Sequence, residues 1–174
     1  LLQEVRDTSG GQSPFAVILS CMDSRTSSEL IFDQGIGAIF SIRIAGNVVN
    51  EDILGSMEFA CAVVGTPLIA VLGHSGCGAV KGAIDDVRLG NLTSLLNRIR
   101  PAVDDVMSAD PAGDDADILQ RVAERNVELA IDEITQRSTI LDDLLDAGQI
   151  AIVGGMYDVA TGVVSFIDEA VADS

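Results

Sequence analysis

Two stretches of this sequence repeat one pattern: a proline, an unbroken apolar run, then a side chain able to bind a metal. They are Pro14-Phe15-Ala16-Val17-Ile18-Leu19-Ser20 before Cys21, and Pro67-Leu68-Ile69-Ala70-Val71-Leu72-Gly73 before His74. Each run is too short for a buried helix, and a leading proline suits the start of a strand. Strands that are apolar at every position, rather than at alternate ones, are buried on both faces, the condition of a parallel sheet covered by helices. Such sheets hold their ligands beyond the carboxyl ends of the strands. Cys21 and His74 therefore arrive at equivalent places although 53 positions (74 − 21) separate them.

The rest of the chain fits an α/β fold. Residues 1–11 read as a helix end broken at Gly10-Gly11, and a short helix follows Ser27 or Ser28 until Gly35 and Gly37 stop it. A second strand covers 38–44. Asn50 caps a helix over 50–64 whose core face is Ile53, Leu54, Met57, Ala60, Cys61 and Val64. Further helices are predicted over 78–87, over 91–107 with Pro101 kinking or restarting it, along Leu119 to Ile134, and through Leu145. Residues 149–153 read as a fourth buried strand, and Tyr157 to Gly162 as a turn into an alternating edge strand over 163–167. The expected architecture is one domain over 1–174, a mainly parallel four-stranded sheet with an antiparallel C-terminal edge strand and helices on both faces. The sequence opens on Leu1 inside what reads as a helix end, so a truncated N-terminal arm is also expected.

Composition narrows the function. The 174 residues carry 27 acidic against 10 basic side chains, a formal charge of −17, which disfavours nucleic acid and anionic lipid as partners. Gly, Pro or polar residues break every apolar run before it could span a bilayer, so no membrane role is expected. Three cysteines make a poor disulfide scaffold in a chain of this size, whereas thiolate ligands suit a reducing, cytoplasmic setting.

Two thiolates and one imidazole form a three-ligand set for a catalytic zinc, with the fourth tetrahedral position left for water or substrate. Cys21, His74 and Cys77 are the candidates, since Cys61 lies in an apolar helix face and reads as an inert core thiol. Cys77 falls where the next helix begins, and a helix N-terminus favours a thiolate. Asp23 and Arg25 flank Cys21 and form either an ordinary turn ion pair or a carboxylate pinned beside the metal. On the residues alone Gln12, just ahead of Ser13-Pro14, is a loop residue.

Taken together, Cys21-Met22-Asp23-Ser24-Arg25, Arg43-Ile44-Ala45-Gly46-Asn47 and Gly73-His74-Ser75-Gly76-Cys77-Gly78 resemble the β-class carbonic anhydrases, with the plant-like form of the pocket. The resemblance runs from about Gly11 to Ile167, including Tyr157-Asp158 and Thr161-Gly162. It implies one Zn2+ per chain held by Cys21, His74 and Cys77, the catalytic pair Asp23 and Arg25, and reversible hydration of CO2 to bicarbonate and a proton by a zinc-bound hydroxide. It implies substrate-pocket positions at Gln12, Phe40, Ala45 and Phe59. Phe59 stands where many plant-like members carry tyrosine, so that hydroxyl's hydrogen bond is lost. The family builds its pocket between two subunits, which implies a homodimer or dimer of dimers in which Gln12 and Phe40 serve the partner's metal. Arg43 is read as structural. In some members the aspartate matching Asp23 swings onto the metal at lower pH.

Two rival readings stay open on the sequence. One keeps the site and changes the substrate to carbonyl sulfide or carbon disulfide, since some hydrolases of those gases share this scaffold. The other is a zinc-binding subunit without turnover, against which the intact Asp23 and Arg25 argue.

Overall fold

β1 (Ala16–Ser20) and β3 (Leu68–His74), the runs that open on proline, lie side by side and parallel, with Val17 opposite Ile69 and Ser20 opposite Leu72. β2 (Ile39–Arg43) pairs parallel with the outer side of β1, and β4 (Ala151–Tyr157) parallel with the far side of β3. β5 (Val164–Ile167) runs antiparallel along β4. The order β2-β1-β3-β4-β5 is the expected set of four parallel strands with an antiparallel edge. The computed structural model describes residues 2–167, so Leu1 and the tail after Ile167 of the expected 1–174 domain lie outside the described residues.

Helices supply the crossovers. α1 (Leu2–Asp7) precedes β1, α2 (Ser28–Ile31) links β1 to β2, and α3 (Glu51–Glu58) runs on into a π-helical turn (Phe59–Val64) before β3. Between β3 and β4 come α4 (Gly78–Ile84), α5 (Gly90–Leu96), α6 (Arg100–Ala109), α7 (Asp115–Arg137) and α8 (Thr139–Asp146). The larger core packs Val17, Leu19, Ile69 and Val71 of the sheet against Met57, Ile99, Val122, Val127, Ile134 and Leu141 of the helical layer. Each such side chain, fully withdrawn from water, contributes about 1.5–3 kcal/mol. On the other face Ala16, Ile18, Ala70 and Leu72 form a smaller cluster under Ile31 and Phe32, so helical cover is present on both sides but unequal. No helix among the described residues is long and apolar enough to cross a membrane.

Two elements differ from the sequence reading, each for a local reason, and a third takes one of its two expected forms. The helix expected over 91–107, with Pro101 kinking or restarting it, is restarted: it forms α5 and α6, and Pro101 stands in the first turn of α6, where a missing N–H breaks no helical bond. Asn50 does cap α3, accepting the Ile53 N–H at 2.9 Å, but the helix widens at Phe59 into the π turn that carries Cys61. Tyr157 ends β4 instead of opening a turn. The strand continues through Gly154, paired with Val71 of β3, and α7 lies so close that a Cβ there would sit 2.9 Å from Ile131 Cδ1 and 3.0 Å from Val127 Cγ1. The glycine at 154 marks a close approach between helix and sheet.

Candidate metal centre

The parallel register brings the ends of β1 and β3 level, and the two ligand-bearing segments leave the sheet together. Cys21 follows β1 directly, His74 is the last residue of β3, and Cys77 is the residue before α4. All three are buried, and their ligand atoms lie within 4.8 Å of one another. Cys21 Sγ and Cys77 Sγ are 4.0 Å apart, close to the roughly 3.8 Å that two sulfurs take around one tetrahedral zinc with 2.3 Å bonds. His74 Nδ1 is 3.0 Å from the Ser75 carbonyl, which can only accept, so Nδ1 carries the proton and Nε2 keeps its lone pair. That Nε2 is buried without a hydrogen-bond partner among the described residues. An orphaned imidazole nitrogen beside two thiols is the donor set of a metal ion, so the three residues fit one.

Contact between the thiols divides their titration. Cys21 is lowered to about 4, chiefly by the Cys77 thiol donating to it and further by the N–H groups of Gly46 and Asp23, against the upward push of burial. Cys77 goes the other way, raised by its bond to Cys21 and by burial, although the Val80 and Ala79 N–H groups at the start of α4 pull it down. The helix N-terminus acts on Cys77 as the sequence suggested, but the pair places its first negative charge on Cys21. Cys61 is a free, buried thiol raised to about 11 by desolvation alone, which keeps it protonated at neutral pH.

Asp23 and Arg25 meet in a two-pronged ion pair: Arg25 Nε donates to Oδ1 at 2.9 Å and Nη2 to Oδ2 at 2.8 Å. The Arg25 backbone N–H also donates to Oδ1 at 3.0 Å, so Oδ1 accepts twice and Oδ2 once. The guanidinium holds the Asp23 carboxyl well below the usual carboxylate range. Because the folded value is depressed, the stability this pair contributes is present above the unfolded value and is lost only as pH falls through the folded one, in strong acid. Across the neutral range Asp23 is an ionised acceptor.

Residues that the sequence left in the background hold this turn. Thr26 Oγ1, buried, donates to the carbonyls of Cys21 at 2.9 Å and Asp23 at 3.0 Å. Arg43, read as structural, donates Nε to the Cys21 carbonyl at 3.2 Å and Nη2 to that of Asp23. Ser75 accepts the Val159 N–H at 3.0 Å and donates to Asp158 Oδ1 at 3.3 Å, tying the ligand loop to the turn after β4. Asn126 reaches the Gly46 carbonyl at 2.9 Å; its sequence signal was a lone amide within the apolar stripe of α7.

Of the remaining expected site residues Ala45 adjoins the metal centre, whereas Phe40, Phe59 and Gln12 line grooves that none of the three donor residues lines. Ala45 opens the turn whose Gly46 N–H donates to Cys21 Sγ at 3.3 Å. Phe40 and Phe59 pack edge to face at 6.4 Å and line an open groove of about 520 Å³ with Val17, Ile42 and Gly55, a groove that none of the three ligand residues lines. Gln12 is exposed and borders a different groove with Thr8, Gly11 and Ile36.

A parallel sheet whose carboxyl edge gathers two thiols, an imidazole and an ionised Asp–Arg pair defines an α/β protein equipped to hold a metal ion. Comparison with known proteins gives the family. The family model for carbonic anhydrase matches residues 16–164. Carbonic anhydrase 2 of Mycobacterium tuberculosis (strain CDC 1551 / Oshkosh) is 40% identical over 155 residues, covering 87% of this chain and 73% of that one. A carbonic anhydrase of Mycolicibacterium smegmatis is 40% identical over 159 residues with the same coverage. Among solved structures, one of two tetrameric β-carbonic anhydrases from the filamentous ascomycete Sordaria macrospora matches with a TM-score of 0.88 at 26% identity, over 96% of this chain and 87% of that one. The chain belongs to the β-carbonic anhydrase family, enzymes whose general reaction is the hydration of CO2.

Proposed function

We propose that this chain catalyses the reversible hydration of CO2 to bicarbonate and a proton at one zinc ion held by Cys21, His74 and Cys77. The observation that carries the reading is the convergence of those three donor atoms within 4.8 Å beside a carboxylate already fixed by Arg25. Zinc bound there supplies Lewis acidity that lowers the pKa of a water at its open position. Asp23 accepts the O–H of the attacking water at Oδ2, the oxygen with a lone pair to spare, and so aims the reacting lone pair at the carbon of CO2. Arg25 keeps that carboxylate charged and still, and Arg43 and Thr26 fix the backbone beneath it.

Gln12, Phe40, Ala45 and Phe59 are proposed to line the substrate pocket, with Gln12 and Phe40 acting across a subunit boundary in a homodimer or dimer of dimers. This is supported by Gln12 bordering a groove that none of its own chain's three donor residues lines, by the open Phe40–Phe59 groove along the edge strand β2, and by the tetrameric state of the Sordaria relatives. Free thiols serving as ligands suit a cytoplasmic enzyme.

Two kinetic outcomes follow. Two thiolates and a neutral imidazole leave a divalent ion with no net local charge, so its water is less acidic than the roughly pH 7 water of a three-histidine site. Asp23 is ionised throughout, so the profile is set by that water: kcat/KM for hydration rises from neutral into alkaline pH, and a flat profile over that span would contradict the ligand set. Proton export gives the second. The chain has one histidine, His74, and it is used as a ligand. Tyrosine, with a reference pKa of about 10, is a poor relay near neutrality. External buffer then carries the proton, so kcat rises with buffer concentration at fixed pH and ionic strength while kcat/KM stays constant. A buffer-independent kcat would reveal an internal relay.

A further inference from the structure

We propose that Asn126 is a positioning residue for the metal centre: it clamps Gly46 so that the Gly46 N–H stays on Cys21. The inference rests on the reading of Cys21, His74 and Cys77 as zinc ligands and extends it to a residue 80 positions away from the turn it holds.

Asn126 sits on the buried face of α7, 5% exposed, among Val122, Ala123, Val127 and Ala130. An amide placed there is cut off from water and is tolerated only with a partner inside. Its Nδ2 donates to the Gly46 carbonyl at 2.9 Å, and on the other side of the same residue the Gly46 N–H donates to Cys21 Sγ at 3.3 Å. Gly46 is held from every direction. Its φ is +68°, in the left-handed region that favours glycine, and a Cβ added there would lie 2.5 Å from Ile99 Cδ1 and 3.3 Å from Ala79 Cβ. Packing fixes where the turn lies; the Asn126 bond fixes how its peptide groups are rotated.

That rotation bears on the metal. A thiolate that accepts an N–H bond is oriented by it and carries its charge at lower cost beside a second thiolate, as outer partners do for metal ligands generally. Without the Asn126 donor the Gly46 carbonyl is buried and unpaired, the turn rotates to satisfy it, and the N–H leaves Cys21.

The test measures metal binding by the purified full chain, using zinc in competition with a chelator and cobalt as a spectroscopic substitute. Asn126→Leu, similar in size but without a donor, is expected to weaken zinc binding by about ten- to a hundredfold, and to shift and weaken the sulfur-to-cobalt charge-transfer band. Asn126→Gln keeps the amide and is expected to recover most of both. Equal losses in the two variants with an unchanged band would mean that packing alone matters, and would overturn the proposal. If Asn126→Leu does not fold, Asn126→Ser, whose hydroxyl is too short to reach the carbonyl, is read by the same two criteria. Wild-type chain that binds neither metal would sink the reading of the centre itself; wild-type binding matched by Asn126→Leu would sink only this inference.

Discussion

Replacing any one of the three ligands should remove zinc and activity together. Cys21→Ser, His74→Ala and Cys77→Ser each leave two protein donors on an ion that needs three to stay bound with an open position. Zinc content should fall from about one per chain to near zero after dialysis against a mild chelator, and kcat/KM for CO2 hydration should drop roughly a thousandfold or more, because the activated water disappears with the ion. Cys61→Ala is the internal control. Its thiol is buried in the π turn away from the triad, and burial alone raises its pKa. The loss should be a small cavity costing about 1 kcal/mol of stability, with zinc and activity close to wild type. Loss of zinc from Cys61→Ala, or retention by Cys21→Ser, would contradict the ligand assignment.

The second large effect concerns Asp23. Asp23→Asn keeps the size of the side chain but loses the charge that Arg25 grips and the acceptor at Oδ2. Zinc content should stay near one per chain while kcat/KM falls about 10²- to 10³-fold, the range of a lost positioned proton acceptor. Arg25→Met should cost less, since the carboxylate remains but is no longer pinned by two bonds. If Asp23→Asn stayed within a few-fold of wild type, the pair would be the ordinary turn ion pair that its spacing alone also allows. The separation between the two experiments matters. The ligand substitutions move zinc and rate together, whereas the Asp23 substitution moves rate alone.

Much of this centre was legible because its chemistry is written into local pattern. An apolar run that ends on a ligand residue says both that a strand is buried and where its end points, and β1 and β3 match that reading to within two residues. The Cys21 to Arg25 segment is equally local, since a two-residue spacing lets one side chain reach the other. What escaped the sequence depends on contacts between distant segments. The strand expected over 149–153 runs on through Gly154 and Gly155 to Tyr157, and the reason for a glycine at 154 lies in α7, whose Ile131 and Val127 occupy the space that its side chain would fill. The clamps from Arg43, Thr26 and Asn126 end on backbone carbonyls, and a carbonyl as acceptor leaves no trace in residue identity. Gln12 could be assigned only through family resemblance, and one chain does not bring it to the centre. A pocket shared between copies has no pattern within one sequence, because its two halves are never near each other along it.

The most direct measurement is stopped-flow CO2 hydration at alkaline pH on the purified chain, with zinc quantified in the same sample before and after chelation and reconstitution. About one zinc per chain is expected, with kcat/KM proportional to zinc occupancy, lost on chelation and restored on adding the metal back. A sample with full zinc occupancy that hydrates CO2 no faster than buffer would contradict the proposed function at its centre.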